Sequence, residues 1–462
     1  MTRQPIFFII TALMFFTCST ETNKTEQEQK PNTVFEVKID DEIQSMINEI
    51  SPESLEAIIE KLVSFGTRHS LSETQSDTFG IGAARRWVKD QFEEYAKESN
   101  GRMIAELDPY IVEPSNRIPY PVEMKNAMAT LKGTDPNDDR VFVISGHLDS
   151  RVSDVMDSAS ISPGANDDAS GVAIVMELAK IMAKRAFPST IIFVAVQGEE
   201  QGLFGSTHLA NSLKEDSVNV VAMLNNDIVG NSLSSETNIK NDSVVRVFSE
   251  SIPSLETERE GRIRQYTGRE NDSPARLLAR YAKEFGEAYN PNFSVKLIYR
   301  NDRYLRGGDH TPFVKNGYSA IRFCEINEHF ERQHQDLREE DGVQYGDLEE
   351  FLDYGYMARI ASVNLAALAN LALAPYKPQD VGLKTSLSNF TTLIWNHPSK
   401  GVKPKSYEVL VRDTDEPMWS KKIMVQDTFA TLDFSKDNYL FSVRSVDSKG
   451  HASLPVFPVP VR

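Results

Sequence analysis

The chain has 462 residues, 40% of them hydrophobic and 25% charged, the ordinary balance of a soluble globular protein with a sizeable core. That length predicts two or three domains. A formal net charge of −17 argues against nucleic acid as a partner, because nothing offsets phosphate repulsion.

The N-terminus, "MTRQPIFFIITALMFFTCST", carries Arg3, an apolar run from Ile6 to Phe16 and small residues around Cys18. The run is too short to span a bilayer and reads as an export signal over residues 1–18. The place of Cys18 predicts a lipoprotein signal, whose cysteine becomes the lipidated N-terminus and attaches the chain to a membrane. The expected location is then the cell envelope, in the periplasm or on the outer membrane, with plain secretion as the other reading. Residues 19–33 are polar and read as a flexible tether. The one other cysteine, Cys324, stands in the apolar strand "YSAIRFCE" and is expected to be a buried structural thiol.

From residue 34 the pattern changes to alternating helices and strands. Residues 51–65 and 82–99 show helical spacing of apolar side chains, the first behind a Ser-Pro-Glu start that suits a capped helix. Short apolar runs such as "VFVISGH", "TIIFVAVQG", "VVAMLNND" and "SVKLIY" read as strands. Residues 169–185, 204–214 and 273–289 read as the helices between them, and 348–375 as a long closing helix. The predicted fold over 34–376 is α/β, a mixed, mostly parallel sheet sandwiched by helices. After "YKPQDVGL" the helices stop. Residues 380–462 hold short strands between turns, the pattern of a β-sandwich. With Trp395 on an early strand and "YLFSVRSVDSKGHAS" late, this segment resembles a fibronectin type III module.

The chemistry stands at the ends of strands. "VFVISGHLDS" delivers His147 and Asp149, "SPGANDDASG" places Asp167 and Asp168 in a loop, and "TIIFVAVQGEE" delivers Glu199 and Glu200. "VVAMLNND" delivers Asp227, and "INEHFERQHQD" delivers His329 and His334. In open α/β sheets ligands bind outside the carboxyl ends of the strands, so these groups are expected to face one crevice. Two unit charges ~4 Å apart at an effective dielectric of about 20 interact by roughly 4 kcal/mol. Carboxylates gathered so closely therefore require a cation, and mixed imidazole and carboxylate ligation suits zinc. Taken singly, each residue has an ordinary reading as a core histidine, a turn aspartate or a solvated turn; recurrence at successive strand ends is what carries weight. His69, His208, His397 and His451 are left as packing or surface residues.

The order "GHLDS … GANDDASG … GEEQGLFGS … NND … His" resembles the co-catalytic zinc exopeptidases. That family includes bacterial leucyl aminopeptidase, glutamate carboxypeptidase, glutaminyl cyclase and the non-catalytic transferrin receptor. The resemblance covers roughly residues 50 to 375. It implies two zinc ions per chain, one held by His147, Asp167 and Asp227 and the other by Asp167, Glu200 and a late histidine. His334, with Asp336 after it, fits that last place better than His329. The resemblance also implies Glu199 as general base, Asp149 as the carboxylate orienting His147, and His310 as a residue near the substrate that is not a ligand. The implied activity is hydrolysis of peptides from one end, most readily as an aminopeptidase, by a water activated between the metals. Two other readings share the fold: a single-zinc glutaminyl cyclase, disfavoured by His147, and a binding protein on a dead peptidase, disfavoured because no ligand is lost.

Overall fold

The computed structural model describes Met1 and residues 36–462; the expected signal, Cys18 and tether lie outside the described residues. Eight strands form the large sheet: β1 (Met103–Val112), β2 (Val122–Leu131), β3 (Arg140–His147), β4 (Thr190–Val196), β5 (Asn219–Asn226), β6 (Val244–Phe248), β7 (Ser294–Ile298) and β8 (Ala320–Glu325). Their order is β1-β2-β4-β3-β5-β8-β6-β7. The central run β4-β3-β5-β8 is parallel, while β1 and β2 add antiparallel at one edge and β6 pairs antiparallel with β8. β3, β4 and β8 are buried along nearly their whole length, which explains why they read as continuous apolar runs.

Ten helices accompany the sheet: α1 (Asp41–Ile47), α2 (Pro52–Val63), α3 (Gly80–Ala96), α4 (Ser170–Met182), α5 (Glu199–Gly202), α6 (Phe204–Glu215), α7 (Glu258–Thr267), α8 (Pro274–Tyr289), α9 (His310–Lys315) and α10 (Tyr354–Leu373), counted among the described residues. Side chains of α1–α4, α8 and α10 share one large core with one face of the sheet; α6 and α9 share a smaller core with the other. Local chemistry sets the helix starts. Ser51 and Ser273 each cap a helix whose first residue is proline, and each accepts a backbone N–H three residues on. The helix predicted from 348 begins only at Tyr354, because Asp353 caps it there, accepting from the Tyr356 amide at 3.0 Å. α7 escaped the sequence reading because it buries no residue and so has no apolar stripe; a capping box between Thr257 and Glu260 starts it.

A two-stranded hairpin, β9 (Arg338–Glu340) with β10 (Val343–Tyr345), follows the last sheet strand. The C-terminal segment forms two small sheets from β11 (Gln379–Lys384), β12 (Thr391–Asn396), β13 (Ser406–Asp413), β14 (Lys421–Val425), β15 (Phe429–Leu432), β16 (Tyr439–Val446) and β17 (Val459–Val461). They run β15-β12-β11-β17 and β14-β13-β16 around a core that includes Trp395, Tyr407, Val409 and Val443. One side of this β segment rests on α8. Leu277 packs there with Leu410, Trp419 and Phe457, and the Tyr281 hydroxyl donates to the Ala452 carbonyl at 2.7 Å. Cys324 is buried in β8 as expected, and burial pushes its thiol up to about 11.

Candidate active site

The carboxyl ends of β3, β4 and β5 open on one crevice, and the chain between strands is shaped to aim side chains into it. Two residues beyond β4, Gly198, with a φ of +90°, turns the chain sharply into the short helix α5 and so presents Glu199 and Glu200 side by side. Asp149 fastens that turn. Its Oδ1 accepts from the amides of Gly198 at 2.9 Å and Glu199 at 3.2 Å, and its Oδ2 from Glu200 at 3.1 Å.

The expected role of Asp149 needs correcting in one respect. Its carboxylate lies 3.8 Å from His147 Nδ1, beyond hydrogen-bond reach, because the three amides already occupy it. The imidazole is held instead by the Asp149 backbone carbonyl, 2.9 Å from Nδ1. A carbonyl only accepts, so Nδ1 carries a proton and Nε2 is the nitrogen turned to the crevice.

Asp167 and Asp168 have different surroundings. Asp168 Oδ2 accepts from the His147 amide at 2.9 Å, and Oδ1 from the amides of Gly171 at 2.9 Å and Ile228 at 3.2 Å, so this carboxylate knits β3, α4 and the end of β5 together. Gly171 permits the approach: a Cβ there would stand 2.2 Å from the Asn226 carbonyl oxygen and 2.5 Å from Asp168 Oδ2. Asp167 instead faces the crevice. Its Oδ1 is 2.9 Å from His147 Nε2, and its Oδ2 is 2.8 Å from His334 Nε2.

Around this shared carboxylate the other expected residues assemble. Asp227 Oδ1 is 3.8 Å from His147 Nε2, and Glu200 Oε1 is 2.8 Å from His334 Nε2. His147, Asp167 and Asp227 form one group with donor atoms within 4.8 Å of one another; Asp167, Glu200 and His334 form a second; His147, Glu199 and Glu200 form a third. His329 lies elsewhere, with Nδ1 3.0 Å from Glu331. His310 is fully buried, its Nε2 2.8 Å from the Asn301 carbonyl, and is not among the side chains lining the crevice.

The electrostatics follow from crowding. Burial opposes ionisation of Asp167, but His334 and His147 outweigh it and hold the carboxyl well below its ordinary value. Burial pushes Glu199 well above its ordinary value, and Glu200, Asp227 and Asp309 nearby reinforce the push against the pull of His147. The Glu199 carboxylate has no hydrogen bond or ion pair among the described residues. Asp227 Oδ1 meets Arg322 at 2.7 Å, while its buried Oδ2 has no hydrogen-bond partner among the described residues, an atom that a cation would satisfy. One imidazole and two carboxylates in each of the first two groups is a donor set that fits zinc.

Several supporting residues gave no sequence signal. Buried Arg68 donates to the carbonyls of Leu148, Pro163 and Gly164, tying the loop after β3 to the loop that carries Asp167. Asp347 accepts from the amides of Asn166 and Asp167 at 2.8 and 2.7 Å. Arg151 donates to Glu200 Oε2 at 2.9 Å and to His334 Nδ1 at 2.6 Å. Only Arg151 was within reach of reading, since it stands two residues beyond Asp149 in the same motif.

Comparison with known proteins places this geometry. Residues 126–357 match the model of peptidase family M28. A probable zinc metalloprotease of Leptosphaeria maculans is 49% identical over 423 residues, covering 91% of this chain and 97% of that protein. One from Pyrenophora teres is 47% identical over 426 residues, covering 91% and 87%. Both matches are longer than the segment 34–376, so these relatives share part of the C-terminal β segment as well. Among solved structures, the LapA aminopeptidase of Legionella pneumophila shares the fold with a TM-score of 0.52 at 21% identity, over 75% of this chain and 79% of that one. The chain belongs to peptidase family M28 and is a metallopeptidase.

Proposed function

We propose that the chain is a di-zinc aminopeptidase that removes N-terminal residues from peptides, with Glu199 as the general base. The observation that carries this reading is the pair of donor groups sharing Asp167, with the unpartnered Glu199 carboxylate beside both. His147 and Asp227 would hold one zinc with Asp167, and Glu200 and His334 the other. Zinc at these positions supplies a Lewis acid that makes a water acidic near neutral pH and polarises the scissile carbonyl. Everything else falls to the chain. Glu199 takes a proton from the attacking water and returns it to the leaving amine. Burial suits it to that task, since it raises the carboxyl's affinity for the proton. Glu200 cannot share this work, because Arg151 and His334 fix its carboxylate in place. Asp149 holds both glutamates in register through their amides.

Exopeptidase action is supported by the fold shared with an aminopeptidase. Export to the cell envelope, with membrane attachment through a lipid on Cys18, and a fibronectin type III identity for residues 380–462 belong to the same proposal and rest on the sequence. The test separates base from ligand. Glu199→Gln is expected to keep its zinc, measured by mass spectrometry, while turnover of aminoacyl p-nitroanilides falls by about 10²–10⁴. Asp167→Ala is expected to lose both zinc and turnover. Equal zinc contents in the two variants contradict the division of roles, and an active Glu199→Gln enzyme removes the base.

A further inference from the structure

The crevice above the metal groups, about 380 Å³, is lined by four arginines as well as by the residues already described: Arg117, Arg151, Arg303 and Arg306. An adjoining cavity of about 450 Å³ shares Arg303 and Arg306 and adds Arg246 and Arg300, with Glu328 the one carboxylate among its lining residues. Such a basic rim runs against the character of a chain with net charge −17.

Some of these cations are committed. Arg151 pairs with Glu200 at 2.9 Å, Arg303 with Glu328 at 3.2 Å, and Arg246 with Glu328 at 2.7 Å. Others are not. Arg117 is exposed and uses one nitrogen, Nη1, on the Glu200 backbone carbonyl at 2.8 Å; no carboxylate lies within 4 Å of its guanidinium among the described residues. Arg306 is exposed, and among the described residues its side chain makes no hydrogen bond or ion pair. A lone exposed arginine is an ordinary solvated residue. Here two uncommitted guanidinium groups, from chain segments nearly two hundred residues apart, line the same crevice as the reacting groups. The carboxylates in that lining all belong to the metal groups, so zinc would neutralise them and leave the arginines in excess.

We propose that this arginine rim selects substrates bearing a carboxylate close to the scissile bond, through Arg117 and Arg306. Guanidinium groups bind carboxylates through two parallel N–H donors, which gives orientation as well as attraction. A crevice with walls of one charge sign also raises the encounter rate of oppositely charged ligands. The carboxylate has two sources, an acidic side chain or the free C-terminus of a short peptide. The proposal rests on the peptidase reading above and refines its substrate class.

The experiment uses the zinc-loaded full chain and two matched comparisons. Glutamyl against glutaminyl p-nitroanilide reads the side-chain source; Leu-Gly against Leu-Gly-amide reads the C-terminal source. In at least one comparison the carboxylate-bearing member is expected to show a kcat/KM on the order of tenfold higher, an advantage that shrinks in 1 M salt, where the screening length is about 3 Å. R117Q and R306Q are each expected to reduce the ratio, and the double variant to bring it near unity. Zinc content and melting temperature verify that these variants are folded. Ratios near one in the wild type, or an unchanged ratio in the double variant, overturn the proposal. If no substrate of any kind is turned over, the peptidase reading has failed, and calorimetry with free L-glutamate against L-glutamine then decides this proposal alone. Tighter binding of glutamate by on the order of tenfold, lost in the double variant, supports the rim; equal or undetectable affinities overturn it.

Discussion

Two buried clusters of charge lie in this molecule, and they are built on opposite rules. Where α8 meets the C-terminal sheets, Asp272 accepts from Arg280 and Arg412, and Arg444 donates to Glu284 and Glu408. Three carboxylates face three guanidinium groups there, all nearly or fully buried, and each charge has an opposite partner at 2.6–2.8 Å. At the carboxyl ends of β3, β4 and β5 the pairing is incomplete: among the described residues the Glu199 carboxylate has no hydrogen bond or ion pair, and Asp227 Oδ2 has no hydrogen-bond partner. A buried cluster in which every charge meets an opposite one serves structure. An unbalanced one implies something still to bind. Buried charge by itself therefore marks no site; the sign and completeness of the pairing do.

Breaking the balanced cluster gives the largest expected change in stability. Arg444→Leu strands buried Glu284 and leaves Glu408 with Lys422 at 3.4 Å, and is expected to cost about 3–5 kcal/mol in urea unfolding, with zinc content and KM unchanged. Replacing Glu284, Glu408 and Arg444 together by apolar residues of similar volume is expected to recover most of that loss, because the buried carboxylates deprived of Arg444 are then gone as well. A variant set in which Arg444→Leu lowers zinc content instead erases the distinction between the clusters. The opposite manipulation balances the unbalanced cluster. With zinc removed, Glu199→Gln is expected to be more stable than the wild type by about 1–2 kcal/mol, since it deletes a crowded carboxylate while turnover is lost. The sign follows from its raised carboxyl: below the ordinary glutamate range Glu199 is neutral in folded and unfolded chains alike, so the gain vanishes there and grows as pH rises. Thermal melts across that range read it directly. The smallest effect is a control that touches neither cluster. Ser273→Ala removes the cap of α8 and is expected to cost about 1 kcal/mol with zinc and kinetics unmoved.

How much of this was legible in the sequence depends on distance along the chain. His147, Glu200 and Asp227 were readable because each closely follows or ends an apolar strand, so that topology alone brings them to one edge; Asp167 and His334 stand in the connections between strands and were readable only through the motif order. His334 could be preferred over His329 from its neighbour Asp336, and in the fold Asp336 does tie this loop down, accepting from the Ser153 hydroxyl at 2.8 and 2.9 Å. The role of Asp149 was misread in detail because sequence spacing does not tell a carboxylate from its own backbone carbonyl as the acceptor. The arginine rim was out of reach. Arg117 lies between β1 and β2, and Arg303 and Arg306 lie before α9, in loops with no periodicity that bring a distant crevice to mind. The same holds for Arg68 and Asp347, whose partners are backbone groups that any sequence offers.

The seat of the C-terminal sheets on α8 bears on how this enzyme can be handled. Val446 and Ala452 from beyond residue 380 are packed into the same apolar mass as the peptidase helices, and Leu277 of α8 is covered only by Leu410, Trp419 and Phe457 among the buried side chains of its cluster. A chain cut after Pro375 would bare that greasy strip together with the ionic groups of the helix. The β segment is thus better regarded as a missing wall of the peptidase than as a detachable accessory, and expression of the shortened protein should yield aggregate where the intact chain yields soluble enzyme.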